Sequence, residues 1–122
     1  MIKSENSSTE NLTETIVQAV QDKKAENVVS LDLGKIPNSV CSHFVVCHGN
    51  SKTQVDAIAD EAIRMVKEKT GEKPWHTEGY ENAEWILIDY VDVVLHIFQK
   101  EVRKFYNLED LWADAETTRY EE

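Results

Sequence analysis

Leu12, Ile16, Ala19 and Val20 recur at helical spacing, which predicts an amphipathic helix over residues 10–24. The pattern breaks at Asn27. Val28, Val29, Leu31 and Leu33 then read as a short apolar strand ending near Gly34. Ile36-Pro37-Asn38-Ser39 is a loop, because Pro37 removes a backbone donor. A second strand follows over residues 43–48, centred on Phe44-Val45-Val46-Cys47, and runs into Gly49-Asn50-Ser51. Ser51 and Gln54 have the spacing of a capping box, in which each side chain satisfies a free backbone donor. The helix they open carries Val55, Ile58, Ala59, Ala62, Ile63 and Val66 on one stripe. Asp56, Asp60, Glu61, Lys67 and Glu68 occupy its other faces. Lys67 and Lys69 set positive charge at its carbonyl end, and Gly71 supplies a left-handed stop.

Beyond Pro74, Trp75-His76-Thr77-Glu78 reads as a short strand closed by Gly79. A polar turn leads to Trp85-Ile86-Leu87-Ile88-Asp89, and Val93-Val94-Leu95-His96-Ile97-Phe98 follows almost at once. That separation predicts a hairpin around Tyr90-Val91-Asp92. Apolar residues at odd and even positions place both strands at or near the centre of a sheet. The chain continues in short helical turns over residues 100–106 and 108–112, with Asn107 as an N-cap between them. Residues 1–9 are a polar tail, and residues 115–122 an acidic tail expected to be disordered. The order α-β-β-α-β-β-β-α predicts a single α/β domain over residues 10–114. Its sheet is mixed and five-stranded, with flanking helices.

Charge narrows the function. Among 122 residues, 13 Lys and Arg face 23 Asp and Glu, a formal net charge of −10. Gripping nucleic acid through phosphates requires concentrated positive charge; here the cations are outnumbered, so direct nucleic-acid binding is disfavoured unless a local basic patch exists. A protein partner is the better expectation. No apolar run approaches the ~20 residues of a membrane span, and the N-terminus has neither a signal-peptide core nor a run of arginines; a cytoplasmic protein is expected. Cys41 and Cys47, taken to lie on one strand, would stand roughly 20 Å apart, too far for a disulfide. They read as small buried residues.

Candidate chemistry is sparse. Gly49-Asn50-Ser51 at a strand-to-helix turn is the kind of site that holds an anion, but also an ordinary N-cap. No phosphate-binding glycine loop occurs. Asp89, Asp92 and His96 lie within eight residues and offer a metal or acid–base set, although in a hairpin the acids more naturally cap the turn. His43, His48, His76 and His96 show no metal-ligand spacing. The expectation is therefore no catalytic residues, no cofactor and no metal. The aromatics say more: Trp75, Tyr80, Trp85, Tyr90, Tyr106 and Trp112 gather in the second half, where large rings at a sheet rim anchor protein interfaces.

Several blocks resemble the Iojap-like, or ribosomal silencing factor, family. They are Phe44-Val45-Val46 leading into Gly49-Asn50-Ser51, then His76-Thr77-Glu78-Gly79, then Trp85-Ile86-Leu87-Ile88-Asp89-Tyr90. Asp92-Val93-Val94-Leu95-His96-Ile97-Phe98, Phe105-Tyr106-Asn107-Leu108-Glu109 and Leu111-Trp112-Ala113-Asp114-Ala115 follow in family order. The resemblance implies a nucleotidyltransferase-like fold without the catalytic carboxylates, and a protein that is not an enzyme. It implies binding to the large ribosomal subunit, through the fourteenth large-subunit ribosomal protein at the intersubunit face, so that subunit joining is blocked and translation repressed. Trp85 matches the family's interface tryptophan. Glu78, Asp89, Tyr90 and Asp92 fall in the surrounding motifs as residues that orient or contact the partner, and a homodimer of the free protein is a further implication. Two departures stand out: Ser42-His43 replace an Asp-Tyr pair, and Val91 stands where the family's turn has glycine. Valine resists positive φ, so a different turn or a longer bulge is expected. The alternatives are a divergent nucleotidyltransferase or phosphate-binding enzyme using Ser51, Asp89 and Asp92, and an assembly factor for the large subunit.

Overall fold

The computed structural model describes residues 2–121, with side chains from Thr9 onward. Helix α1 (Ile2–Asp22) leads to β1 (Glu26–Asp32), β2 (His43–Gly49) and α2 (Lys52–Thr70). Strands β3 (His76–Glu78), β4 (Trp85–Asp89) and β5 (Val93–Gln99) follow. Helices α3 (Lys100–Tyr106) and α4 (Leu108–Leu111) precede β6 (Glu116–Arg119). The helix α1 thus begins ahead of the Glu10 start that periodicity marks. The tail expected over residues 1–9 falls mostly on positions whose side chains lie outside the described residues.

The sheet has six strands, in the order β3-β4-β5-β2-β1-β6. The β2–β5 pair is parallel and the other pairs are antiparallel. Five strands were expected, so β6 is a correction, and with it the disordered acidic tail. Acidic composition obscured two facts: Thr117 and Thr118 are β-branched residues suited to a strand, and the outer edge of β1 needs hydrogen-bond partners. The pairing is locked beyond the strand itself. Tyr120 N–H donates to the Val28 carbonyl at 2.9 Å, its hydroxyl bonds Ser30 Oγ at 3.0 Å, and its ring packs on the core.

Strand alternation divides the core into two layers. On one face of the sheet, α1 and α2 cover Val28, Val45, Cys47, Ile86, Ile88, Val93, Leu95 and Ile97. The opposite face carries Val29, Leu31, Phe44, Val46, Val94 and Phe98, closed by Leu108, Ala115, Val102 and Trp112. That cover thins towards β4. There Ile86 and Ile88 are buried, whereas Trp85, Leu87 and Asp89 on the second face are half-exposed. Both faces of β4 were expected to be covered; one is open, because α3 and α4 are too short to reach across it.

Half of the capping-box reading of α2 holds, since Gln54 takes the N–H of Asn50 and not that of the N-cap Ser51. Ser51 Oγ accepts from Gln54 N–H at 3.1 Å, and Gly71 at φ 79° ends the helix with its N–H on the Lys67 carbonyl. The Gln54 side chain bridges beyond its own helix. Its Oε1 accepts from Asn50 N–H at 2.8 Å and its Nε2 donates to the Lys23 and Lys24 carbonyls, tying the start of α2 to the end of α1. Asn107 stands at the N-cap of α4, as expected, but caps without a side-chain bond to the backbone. It sits at φ 49° and ends α3 by donating its N–H to Arg103 O, while its side chain bonds Asp110 rather than a backbone N–H. Cys41 precedes β2 instead of sharing a strand with Cys47, and both thiols are free. Burial pushes them up to about 11 and about 12 respectively.

Candidate protein-binding surface

The open face is organised around Trp85, the first residue of β4. Its cross-strand partner is Phe98, and the two rings stack with centroids 4.9 Å apart and planes 27° apart. Tyr106, from the last turn of α3, closes the other side at 4.7 Å. Indole Nε1–H donates to His96 Nδ1 at 3.0 Å. That bond assigns the tautomer: Nδ1 is an acceptor, so the proton is on Nε2, which is buried without a hydrogen-bond partner. His96 also meets Phe44 in an edge-on contact at 4.6 Å. Burial holds its imidazole down at about 4, so at neutral pH it is an uncharged acceptor for the indole.

Gly79 fixes the backbone beneath this residue. It adopts φ +90°, and a Cβ there would lie 2.0 Å from the Trp85 carbonyl oxygen. Only glycine permits β3 to turn so close to β4. The block His76-Thr77-Glu78-Gly79 thus has a steric reason.

Farther along the same face, at the Asp89 end of β4, the surface is apolar. Trp75 is 74% exposed, Val40 75% and Val91 58%. With Asp89 and buried Val94 they line a shallow groove of about 390 Å³. Large apolar side chains left in solvent together are what a docking surface presents. Carboxylates rim it: Glu78 is exposed and engages His76 Nε2 at 2.8 Å, and Asp92 is exposed.

The five expected residues are not brought together equally. Trp85 and Asp89 lie on the open face of β4, and Glu78 and Asp92 stand at its rim. Tyr90 is a correction: 5% exposed, it packs in the helix-side core, where burial, then Tyr80 and Glu72, push its hydroxyl up. It cannot touch a partner and instead supports the strand end. Val91, Leu87 and Val40 were missed as surface elements. The available signal was an aliphatic side chain standing at a hairpin tip.

The hairpin tip also overturns an expectation. Val91 adopts φ 77° instead of a different turn or a longer bulge. Asp92 N–H donates to Tyr90 O at 3.0 Å, and Tyr90 N–H donates to Val93 O at 2.9 Å. This three-residue turn is of the rare, strained hand. Asp89 Oδ1 supports it by accepting from Val91 N–H at 2.7 Å. The two departures from the family pattern meet here, since Ser42 and His43 both donate backbone N–H to the Asp92 carbonyl, at 2.9 and 3.1 Å.

No reaction centre is assembled from the candidate groups. Asp89 serves the turn, His96 serves Trp85, and Ser51 caps α2. Among the described residues no three His, Cys, Asp or Glu side chains are grouped to hold a metal ion, and no helix is long and apolar enough to cross a membrane.

Fold and surface define a small mixed α/β domain with one sheet face sealed by helices and the other partly open. Comparison with known proteins narrows that class. The family model described as "Ribosomal silencing factor during starvation" matches residues 5–122. A ribosomal silencing factor from Halalkalibacterium halodurans is 47% identical over 114 residues, covering 93% of this chain and 96% of that one. Its counterpart in Bacillus subtilis is 45% identical over 97 residues, 80% of each chain. A crystal structure of a Chromobacterium violaceum protein superposes with a TM-score of 0.81 at 33% identity, covering 85% of both chains. The chain belongs to the ribosomal silencing factor family, as the Iojap-like resemblance implied.

Proposed function

We propose that this protein is a non-catalytic ribosomal silencing factor of the cytoplasm. Its open β3–β5 face docks on a protein of the large ribosomal subunit, and the bound body stands in the way of the small subunit. The observation that carries this reading is Trp85. It is half-exposed, yet held by a hydrogen bond and two ring contacts, on the same open face of β4 whose far end carries an exposed apolar groove. A rigid aromatic anchor costs little side-chain entropy on binding and is the usual centre of an interface. Relatives named as ribosomal silencing factors supply the ribosome as the context. The fourteenth large-subunit protein, at the intersubunit face, is the specific partner proposed. Carboxylates at the rim favour a protein contact there over rRNA, since like charge disfavours wrong poses. In the free protein the same face would pair two copies.

Co-sedimentation with isolated large subunits, with small subunits added before or after, tests the reading. Expected is saturable pelleting with large subunits, blocked joining when the factor is added first, and loss of both in Trp85→Ala that retains its melting transition. Normal joining in the presence of excess factor would remove the proposal.

A further inference from the structure

Across Phe98 from Trp85, the second sheet face carries a charge pattern at odds with the whole molecule. In a chain of net charge −10, a pocket of about 300 Å³ is lined by Lys100, Arg103, Lys104 and Arg119 together with His48. Lys100 and Lys104 are one helical turn apart on α3, hence on one face of it. Arg119 comes from β6, the strand that charge composition had hidden. Glu109, the single acid among the lining residues, is committed to Arg103 at 2.8 Å. Lys100, Lys104 and Arg119 are exposed and carry no ion pair among the described residues.

Arg103 makes this a built feature rather than a chance gathering of surface lysines. It is 7% exposed. One guanidinium nitrogen donates to His48 Nδ1 at 2.9 Å and to the Glu26 carbonyl at 3.4 Å, and another holds Glu109. His48 is itself buried. Its Nδ1 accepts from Arg103, so the proton is on Nε2, which has no hydrogen-bond partner and stands 3.5 Å from Glu26 Oε1. Arg103 and His48 thus form a fixed floor, and three unpaired cations form the walls.

We propose that this pocket is a docking site for the phosphodiester backbone of RNA, lateral to Trp85 and sharing no lining residue with the apolar groove at Val40, Trp75 and Val91. Three cations contributed by two elements offer charge to successive phosphates, while the lining holds no Phe, Tyr or Trp and its one imidazole, His48, is buried in the floor. Recognition is therefore electrostatic and blind to sequence. The acidic remainder of the surface restricts RNA to this one location.

The test uses the full-length protein and fluorescein-labelled single-stranded RNA of about ten nucleotides, read by anisotropy across a salt series. Inorganic phosphate and a nucleoside monophosphate serve as competitors. Expected is saturable binding whose logarithm falls linearly with the logarithm of salt, with a slope near −2 for about three phosphates. Lys100→Gln with Lys104→Gln should lower that slope by about 1.4 and weaken binding roughly tenfold or more at low salt. Arg119→Gln should act in the same direction by half as much. Lys67→Gln with Lys73→Gln, which removes equal charge from elsewhere, should leave binding unchanged, and far-UV circular dichroism checks that each variant folds. Absence of RNA binding overturns the proposal. So does equal weakening by the control pair, or binding of phosphate and monophosphate without RNA. None of these outcomes bears on docking through Trp85.

Discussion

The indole Nε1–H of Trp85 donates to Nδ1 of His96 across 3.0 Å, joining a half-exposed residue to a histidine only 4% exposed. The anchor of the proposed interface therefore depends on the charge state of a group that a partner never reaches. His96 is depressed to about 4 by burial, against an ordinary histidine near ~6.5. Between those values the unfolded chain binds a proton that the folded one does not, so stability rises with pH across the window and falls as pH drops through it. His48, lowered by burial and then by Arg103, adds in the same direction. Denaturant titrations from pH 7 to pH 5 should show a loss of about 2 kcal/mol from His96, and a flatter dependence in His96→Gln. An unchanged pH dependence in that variant would mean the imidazole is not the titrating group.

Gly79→Ala should be among the most damaging single-atom-scale changes in the chain. Its Cβ would meet the Trp85 carbonyl at 2.0 Å in a backbone conformation of φ +90°, so either β3 detaches or β4 shifts. A loss of about 3 kcal/mol or more is expected, accompanied by a change in Trp85 fluorescence. A melting temperature equal to the parent's would refute the close approach.

Val91→Gly should stabilise. Relief of a β-branched residue at φ 77° exceeds the extra unfolded-state freedom of glycine, for a net gain of about 1 kcal/mol. The same substitution deletes an exposed apolar side chain from the groove, so affinity for the large subunit should fall. Equilibrium unfolding and co-sedimentation would then move in opposite directions.

Gln54→Ala should cost about 1 kcal/mol, since it strands Asn50 N–H and frees the Lys23 and Lys24 carbonyls just past α1. Hydrogen exchange should show the junction of α1 and α2 opening first. Exchange unchanged at both helix ends would argue against the bridge.

Features that depend on neighbours in sequence were legible before any coordinates. Ser51 three residues ahead of Gln54, the stripe from Val55 to Val66, and the stop at Gly71 are local physics. So is a hairpin centred on Tyr90-Val91-Asp92. Hidden features depend on distant partners. Near Glu116–Arg119 only the two threonines hint at a strand, because its main reason is the vacant edge of β1 more than eighty residues earlier. Tyr90 looked like a surface aromatic beside Asp89, yet period-two alternation turns it away from Trp85 and Asp89 into the helix-side core. Trp85 was identified from the family motif, but the histidine that fixes its indole lies across the sheet on β5. Scattered in sequence, Lys100, Lys104 and Arg119 converge only because β6 returns alongside the start of β1.

The sheet finishes in strands of three and four residues, β3 on one side and β6 on the other. Stubs that short give an incoming peptide too few main-chain hydrogen bonds to extend the sheet. Association must therefore be read through side chains projecting from the broad face, where composition decides who binds. A molecule that exposes tryptophan and valine on its broad face is thereby spared the indiscriminate backbone zippering that an open β-edge invites.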